Sequence, residues 1–182
     1  MKDEPVRIGA RASALVSPGD SIIVDSGSTT YELVKALDPQ LEATIVTHDL
    51  TIADYVEAHL PLVNLILLGG ALRPAHDYCC GPLTLSMIDQ IFADKVFLGA
   101  NSFSPEYGFM TEYEPAAEVK SALVRHARQR IMLMDSSKVG LHSFIRFANP
   151  EDIDVLVCDR DPNRILARSF SSIAHAPELV IA

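Results

Sequence analysis

The stretch "IIVDSGSTTYELVKAL", residues 22–37, joins an aliphatic run to a helical pattern through a turn of small polar residues. The first part is typical of a buried strand, and the apolar spacing of the last part is typical of an amphipathic helix. Thr29 and Glu32 have the spacing of a capping box, which predicts that the helix begins just after Gly27 and Ser28. Such a turn directs backbone N–H groups and the positive end of the helix dipole at one point. A phosphate group is the expected occupant.

Other interpretations of this turn fit the sequence less well. The turn lacks the lysine of a Walker phosphate loop, and it does not have the G-x-S-x-G spacing of a nucleophile elbow. A sugar kinase or actin-like ATPase would need a second lobe, for which the chain is too short. A capped helix that binds nothing stays open as an alternative. The phosphate interpretation depends on three hydroxyls, those of Ser26, Ser28 and Thr29, and on Gly27, which lets the backbone approach a ligand closely.

Beyond this turn, short β-branched runs alternate with helical patterns along the whole chain. The expected strands are "SIIVD", "ATIVT", "VNLILLGG", "DKVFLGA", "RIMLMD" and "DIDVLVCD", and helices are expected over residues 29–37, 50–60, 83–92 and 115–127. This alternation predicts an α/β fold with a mainly parallel sheet flanked by helices. The strands are continuously apolar, which predicts burial on both faces. No linker-like segment divides the sequence, so residues 1–182 are expected to form a single domain.

In open α/β sheets, ligands bind beyond the carboxyl ends of the strands. The junctions there are "DSGSTT", "THDL", "GGALRP", "GANSFS" and "DSSK", and nearly all of them consist of small polar residues or glycine. Lys138 in the last junction would bring an ammonium to a strand end, where it could bind an anion or pair with Asp25 or Asp135. A lysine that only faces solvent is the alternative.

The chain has 182 residues, a formal net charge of −9 and a hydrophobic content of 48%. This is enough for one domain with a full core. Lysine and arginine form no run longer than two residues, so the cationic surface of a nucleic-acid-binding protein is missing. No apolar run approaches the ~20 residues that span a bilayer, and no secretory leader opens the sequence. We therefore expect a cytoplasmic protein that binds neither membranes nor, by itself, DNA.

The segment "AHDYCC" brings His76, Asp77, Cys79 and Cys80 close together in the sequence. Adjacent cysteines are awkward joint metal ligands, and no second pair with ligand spacing follows. No metal and no other cofactor is therefore expected. Because the segment follows a glycine pair, it is interpreted as a flexible loop that could cover a ligand with His76 or Tyr78.

The helix expected after "TEYEP" turns Ala116, Val119 and Leu123 inward. Glu118 on this helix is equally compatible with binding and with solvent exposure, whereas Lys120 is expected to be exposed. The acidic residues of "TEYEPAAE" would repel a phosphate, so only sugar hydroxyls are expected beside them.

The order and spacing of several motifs resemble one known family. These motifs are "VDSGSTT", "IVTHDL", "LILLGGALRP", "CGPLT", "DKVFLGANSF", "YGFMT", "AAEVKSALVRHARQRIMLMDSSKVG" and "DIDVLVCD". From about residue 7 to about residue 161 the sequence resembles the C-terminal sensor domain of DeoR-family transcriptional regulators. The resemblance implies a fold like that of ribose-5-phosphate isomerase and the CoA-transferases. It also implies an effector-binding domain of a repressor of sugar metabolism genes, with a phosphorylated sugar as the effector.

The resemblance further implies which residues bind the effector. They are Asp25, Ser26, Gly27, Ser28, Thr29 and Thr30 in the phosphate loop, with Thr47, His48, Gly69, Gly70, Asn101 and Lys138 from the neighbouring junctions. His48 stands where these regulators usually have an amide, so the polar groups of the ligand would differ. Asn101 stands where the isomerases have acidic residues that move protons, and no KGGG-like stretch lies near Glu118. These departures imply binding without catalysis. A small sugar-phosphate isomerase or hydrolase on the same fold remains the alternative.

The winged helix-turn-helix that precedes this domain in the family is not found in the sequence, and residues 7–16 resemble the helix that follows its linker. Contact with DNA is therefore expected only through that N-terminal domain of a full-length protein. A homo-oligomer, dimer or tetramer, is expected because repressors that read palindromic sites are usually even-numbered assemblies.

Overall fold

A computed structural model describes residues 3–182, so residues 1 and 2 of the expected 1–182 domain lie outside the described residues. The helices are α1 (Asp3–Ser13), α2 (Ser28–Lys35), α3 (Leu50–His59), α4 (Pro82–Ile88), α5 (Glu114–Arg125) and α6 (Ile165–Phe170). The strands are β1 (Ser21–Val24), β2 (Thr44–Thr47), β3 (Asn64–Leu67), β4 (Ala71–Arg73), β5 (Tyr78–Cys80), β6 (Ala93–Gly99), β7 (Ser102–Ser104), β8 (Gly108–Thr111), β9 (Ala127–Leu133), β10 (Ile145–Ala148), β11 (Val155–Cys158) and β12 (Glu178–Ile181).

Seven strands form one sheet in the order β12-β11-β9-β6-β1-β2-β3, and every neighbouring pair is parallel. The prediction of a mainly parallel sheet flanked by helices is thus confirmed. From β1 the chain continues outward through β2 to β3, whereas β6 and the later strands build the other half of the sheet. The strand order therefore reverses between β1 and β6, and ligands in such sheets bind at this kind of switch point.

Both faces of the sheet are covered, as the continuous apolar strands predicted. Alternate residues of β1 point to opposite faces. Ile22 belongs to the buried cluster that includes residues of α1, α2 and α3, and Ile23 belongs to the cluster that includes residues of α4, α5 and α6. Both residues are fully buried. The carboxyl ends of the strands are left open between these two helical layers, and the loops that follow the strands meet there.

Two small antiparallel units were not predicted from the sequence. Strands β4 and β5 form a hairpin, and β10, β8 and β7 form a three-stranded sheet. The hairpin is held against the end of β2, because the Cys79 N–H donates to the His48 carbonyl (2.8 Å) and the Leu50 N–H donates to the Asp77 carbonyl (2.8 Å). These units extend the fold over the carboxyl edge of the main sheet.

The predicted capping box is wrong. Helix α2 begins at Ser28 with Gly27 as its N-cap, and no side chain caps it. Gly27 has φ 157°, which allows the chain to enter the helix before Thr29. Thr29 therefore lies inside the first turn, where its hydroxyl cannot accept from the N–H three residues later. The Thr30 hydroxyl donates instead to the Gly27 carbonyl, 2.9 Å away.

Candidate functional site

Two cavities meet at the loop between β1 and α2. The larger cavity has a volume of about 420 Å³ and the smaller one about 180 Å³. The residues that line both are Ser26, Gly27, Ser28, Asn101 and Lys120. Binding cavities for small molecules usually measure ~300–1,000 Å³, so the larger cavity alone is of the size that holds a small metabolite.

The start of α2 supplies donors to this junction. The first four N–H groups of a helix have no partner within the helix, and the positive end of the helix dipole lies at the same place. Within residues 3–182 no side-chain hydrogen bond to these donors occurs, and the N-cap residue Gly27 has no side chain that could form one. The Thr29 hydroxyl is buried without a hydrogen-bond partner in the part of the chain that the structure describes, and Thr29 lines the smaller cavity. The turn thus has unused donors beside an open space.

The floor of the site is a buried charge cluster around Asp25, which is fully buried at the end of β1. One oxygen of its carboxylate lies 3.0 Å from His48 Nε2. The other accepts from the Gly99 N–H (3.1 Å) and forms an ion pair with the Lys120 ammonium. Burial alone would raise the pKa of Asp25, but Lys120 and His48 outweigh it and lower the pKa from 3.8 to about 2. Asp25 is therefore a carboxylate at any ordinary pH.

His48 connects this cluster to the hairpin. Its Nδ1 lies 2.7 Å from the Cys79 carbonyl of β5, and a carbonyl can only accept. Its Nε2 faces the ionised Asp25, which also only accepts. The doubly protonated ring satisfies both contacts at once, whereas a neutral ring satisfies only one of them. The Ser26 N–H, 3.3 Å from Nε2, is a partner for the neutral ring alone.

Lys138 enters the site from the other side, on a single turn of 3₁₀ helix (Ser136–Lys138) after β9. It lines the smaller cavity and pairs with Asp135 at 3.2 Å. The turn is fixed by Asp159, which accepts from the Ser136 N–H (2.6 Å) and hydroxyl (2.9 Å). Of the two partners named from the sequence, Lys138 therefore pairs with Asp135, while Asp25 pairs with Lys120.

Most of the residues named from the sequence lie together at this edge of the sheet. Those that line one or both cavities are Asp25, Ser26, Gly27, Ser28, Thr29, Thr30, His48, Asn101 and Lys138. Thr47 lines neither cavity; it is buried, and its hydroxyl donates to the Val24 carbonyl at 2.8 Å. Gly69 and Gly70 also lie outside both. The Gly69 carbonyl accepts from the Thr84 hydroxyl (2.7 Å), and a Cβ on Gly70 would lie 2.0 Å from that hydroxyl oxygen.

The expectation that Lys120 is exposed is wrong, because only 8% of its surface is accessible. Lys120 lies one helical turn after Ala116 and one before Leu123, so it shares their inward face. The Asp25 carboxylate and the Gly99 carbonyl (2.9 Å) accept from its ammonium and make burial possible. The helical spacing could have identified this position, but a lysine there was read by its residue type alone. Glu118 is exposed.

The hairpin contributes Arg73, which the sequence analysis did not select as a ligand contact. Arg73 lines the larger cavity, and its guanidinium lies 4.0 Å from the ring centre of Tyr113 and donates to the Tyr78 hydroxyl (2.5 Å). His76 and Tyr78 line the same cavity, as the covering-loop interpretation expected. Cys79 and Cys80 are buried in β5, and within residues 3–182 no group of three or more His, Cys, Asp or Glu side chains could hold a metal ion. The described helices include none that is long and apolar enough to cross a membrane.

Sequence comparison connects this chain to a known family. The family model described as the DeoR C terminal sensor domain matches residues 2–160. The HTH-type transcriptional repressor GlcR of Bacillus subtilis is 31% identical over 164 residues, which are 90% of this chain and 62% of GlcR. An uncharacterized HTH-type transcriptional regulator of Escherichia coli, YgbI, is 34% identical over 73% of this chain and 51% of its own length. The chain thus spans about half to three fifths of these relatives, whose named role is non-enzymatic.

Structural comparison shows the same type of fold in more distant proteins. Ribose 5-phosphate isomerase A from Methanocaldococcus jannaschii has a TM-score of 0.55 at 16% identity, over 76% of this chain and 54% of the isomerase. The eIF2B beta subunit from Chaetomium thermophilum has a TM-score of 0.59 at 15% identity, over 85% of this chain and 48% of that subunit. At these identities the likeness concerns the fold alone.

Proposed function

The chain belongs to the family of DeoR C-terminal sensor domains, and on that premise we propose that it binds a phosphorylated sugar, whose phosphate lies at the start of α2. The observation that carries this proposal is the set of donors that come together at one point. The first turn of α2 has N–H groups without partners in the described chain. The smaller cavity is lined by Thr29, whose buried hydroxyl has no partner there either, and by Lys138, whose ammonium pairs with Asp135 at 3.2 Å. A phosphate dianion is the group that such donors favour.

The charge balance of the floor supports an anion as well. The Asp25 carboxylate lies between the Lys120 ammonium and the His48 ring, so its negative charge is already neutralised by a buried ion pair. An incoming phosphate would therefore not meet the Asp25 carboxylate as an uncompensated charge. Asp49, the next acidic residue, accepts hydrogen bonds from the Ser26 hydroxyl (2.6 Å) and the Ile52 N–H (2.9 Å).

The larger cavity offers groups that suit the hydroxyls of a sugar. Asn101 accepts from the Thr111 hydroxyl at 2.6 Å, which leaves the amide N–H groups of Asn101 for a ligand. Glu112 borders the same cavity and is exposed, so its carboxylate can accept from hydroxyls. We therefore place the sugar in the larger cavity and its phosphate in the smaller one.

We further propose that residues 1–182 act as one effector-binding unit of a transcriptional repressor of sugar metabolism genes. In that proposal DNA is bound only by an N-terminal helix-turn-helix domain, in keeping with the HTH-type names of the relatives. Helix α1 packs directly on α2, because Gly9 allows the two helices to approach closely. A ligand at the start of α2 can therefore influence the element nearest to such a domain. The proposal includes a homo-oligomeric protein.

The test is a calorimetric titration with a panel of hexose and pentose phosphates and their unphosphorylated sugars. The phosphates should bind and the free sugars should not. A hydrogen bond to a charged group contributes ~1.5–3 kcal/mol, so Lys138→Ala should weaken binding by about tenfold or more. Lys35→Ala removes a lysine from the exposed end of α2 and should leave binding unchanged. Equal binding of sugars and sugar phosphates would overturn the proposal, and so would turnover of any panel member.

A further inference from the structure

Arg73 is a charged residue of the larger cavity. The binding of a single phosphate at the start of α2 does not use it. Arg73 lines the larger cavity and not the smaller one, whereas Lys138 lines the smaller and not the larger. The loop from Ser26 to Ser28 lies between the two cations, because it borders both cavities. The site therefore has one cation on each side of the phosphate loop.

The guanidinium of Arg73 is held in place but is not neutralised. Tyr113 stacks on it at 4.0 Å, and the Tyr78 hydroxyl accepts from its Nη1 at 2.5 Å. The described chain places no carboxylate within 4.0 Å of it and records no other acceptor for its side chain, so four of its five N–H donors are unused. Burial raises the pKa of Tyr78, which keeps its hydroxyl neutral. A fixed guanidinium with free donors can form bidentate hydrogen bonds to a carboxylate or a phosphate.

None of the described acidic side chains that line this cavity forms an ion pair with Arg73. Asp49 accepts from Ser26 and Ile52, and Asp25 is paired with Lys120. Glu112 borders the cavity without forming an ion pair with Arg73. His76 lines the same cavity from the loop after β4, and its ring centre lies 6.1 Å from that of Tyr78.

From this arrangement we propose that the effector carries two anionic groups, one bound at the start of α2 and the other bound by Arg73. The ligand class is a sugar bisphosphate or a phosphorylated sugar acid. This inference rests on the proposed function, since it assigns the first anion to the same loop. It differs from that proposal in requiring the second anion for full affinity.

The test compares matched ligands by calorimetry at fixed ionic strength: fructose 6-phosphate with fructose 1,6-bisphosphate, and glucose 6-phosphate with 6-phosphogluconate. At least one of the two ligands with two anionic groups should bind the wild type about tenfold or more tightly than the matched ligand with one phosphate. Arg73→Gln should abolish that preference and leave the affinity for the single phosphate within about twofold. Arg128→Gln is the control. It removes the same charge from an exposed position at the amino end of β9, away from the carboxyl ends of the strands where the site lies, and it should preserve the preference.

The outcomes separate the two proposals. If single phosphates bind but no doubly anionic ligand is preferred, or the preference survives Arg73→Gln, the Arg73 assignment is overturned and the proposed function stands. If no phosphate of either kind binds, both are overturned. Arg73→Lys keeps the charge but not the planar fork, so an intermediate preference is expected in a variant that still stacks on Tyr113. An equal loss for single and double anions in Arg73→Gln would mean that Arg73 only supports the hairpin.

Discussion

At the scale of single residues, the site depends on charges that the fold buries in pairs. Asp25 directly follows β1, whereas Lys120 lies on α5, far away in the sequence, and each makes the burial of the other possible. The sequence indicated Asp25 because it follows an apolar strand. Helical spacing places Lys120 on the inward face of α5, but no local pattern shows that a carboxylate lies opposite it. Sequence reasoning could thus find the loop but not its buried counter-ion.

The Asp25 cluster should make the protein sensitive to acid. A folded-state pKa of about 2 against the ordinary 3.8 means that ionised Asp25 adds about 2 kcal/mol of stability above pH 4. Because this carboxylate's pKa is depressed, that stability is lost as the pH falls from about 4 to about 2. Urea unfolding at a series of pH values should show this loss in the wild type and in Asp54→Asn, an exposed control on α3.

In Asp25→Asn the same loss should be absent, and the variant should be less stable by ~3–5 kcal/mol at pH 7 because Lys120 is left buried without its partner. A wild-type acid profile identical to that of Asp25→Asn would contradict the assigned ion pair.

A substitution of Thr29 should weaken ligand binding without lowering the stability of the fold. The Thr29 hydroxyl is buried without a partner in the described chain, so Thr29→Val should leave the free energy of unfolding unchanged or raise it slightly. The same change should weaken the binding of sugar phosphates, since a donor is lost at the start of α2. Thr30→Val is the matched control: its hydroxyl donates to Gly27 (2.9 Å), so its removal should cost about 1 kcal/mol of stability. A large loss of stability in Thr29→Val would mean that its hydroxyl has a partner.

At the scale of secondary structure, the periodic patterns predicted the main sheet and its helices well. The six expected strands are all present, and the expected helices differ from the observed ones by a few residues at their ends. Strands β1, β2, β3 and β11 were found although each has only four residues, because each contains a run of aliphatic residues. The β4–β5 hairpin and the three-stranded sheet were missed because their strands, "ALR", "YCC", "SFS", "GFMT" and "IRFA", contain no such run. Helix α6 and strand β12 were not expected either. Arg73 belongs to the β4–β5 hairpin, so its place in the cavity could not be inferred from the sequence.

The contact between α1 and α2 should be intolerant of any side chain at Gly9. A Cβ there would lie 2.6 Å from the backbone carbon of Glu32 and from the backbone nitrogen of Leu33. Gly9→Ala should therefore destabilise the protein by about 1–3 kcal/mol through overpacking, although alanine ordinarily favours a helix by ~1 kcal/mol. Ala10→Gly, at an exposed position of the same helix, should cost about 1 kcal/mol from helix propensity alone. Stabilisation by Gly9→Ala in chemical denaturation would contradict the close packing of α1 on α2.

At the scale of the whole molecule, the charge distribution and the fold both support the proposal that this chain binds the effector while a separate domain binds DNA. A net charge of −9 opposes the phosphate backbone of DNA, while a few fixed cations gather at the open edge of the sheet. The overall fold followed from the alternation of strands and helices. The shape of the cavities could not be predicted in this way, because they form between loops that are brought together by strands distant in the sequence.

This chain by itself should not bind duplex DNA with useful affinity. Electrostatic release of counterions requires clustered cations, which the acidic chain lacks. Fluorescence anisotropy of a labelled duplex should show no saturable change at micromolar protein and low salt. Saturable binding that weakens as salt is added would show that a cationic surface had been overlooked.

The binding of a phosphate group at the start of α2 can be seen in a crystal structure with the tightest-binding sugar phosphate of the calorimetric panel. Phosphate oxygens are expected about 3 Å from the backbone nitrogens of Ser28 and Thr29, with the Lys138 ammonium in contact and the sugar in the larger cavity. A sugar phosphate bound with its phosphate elsewhere, and with the first turn of α2 still free, would contradict the proposed function.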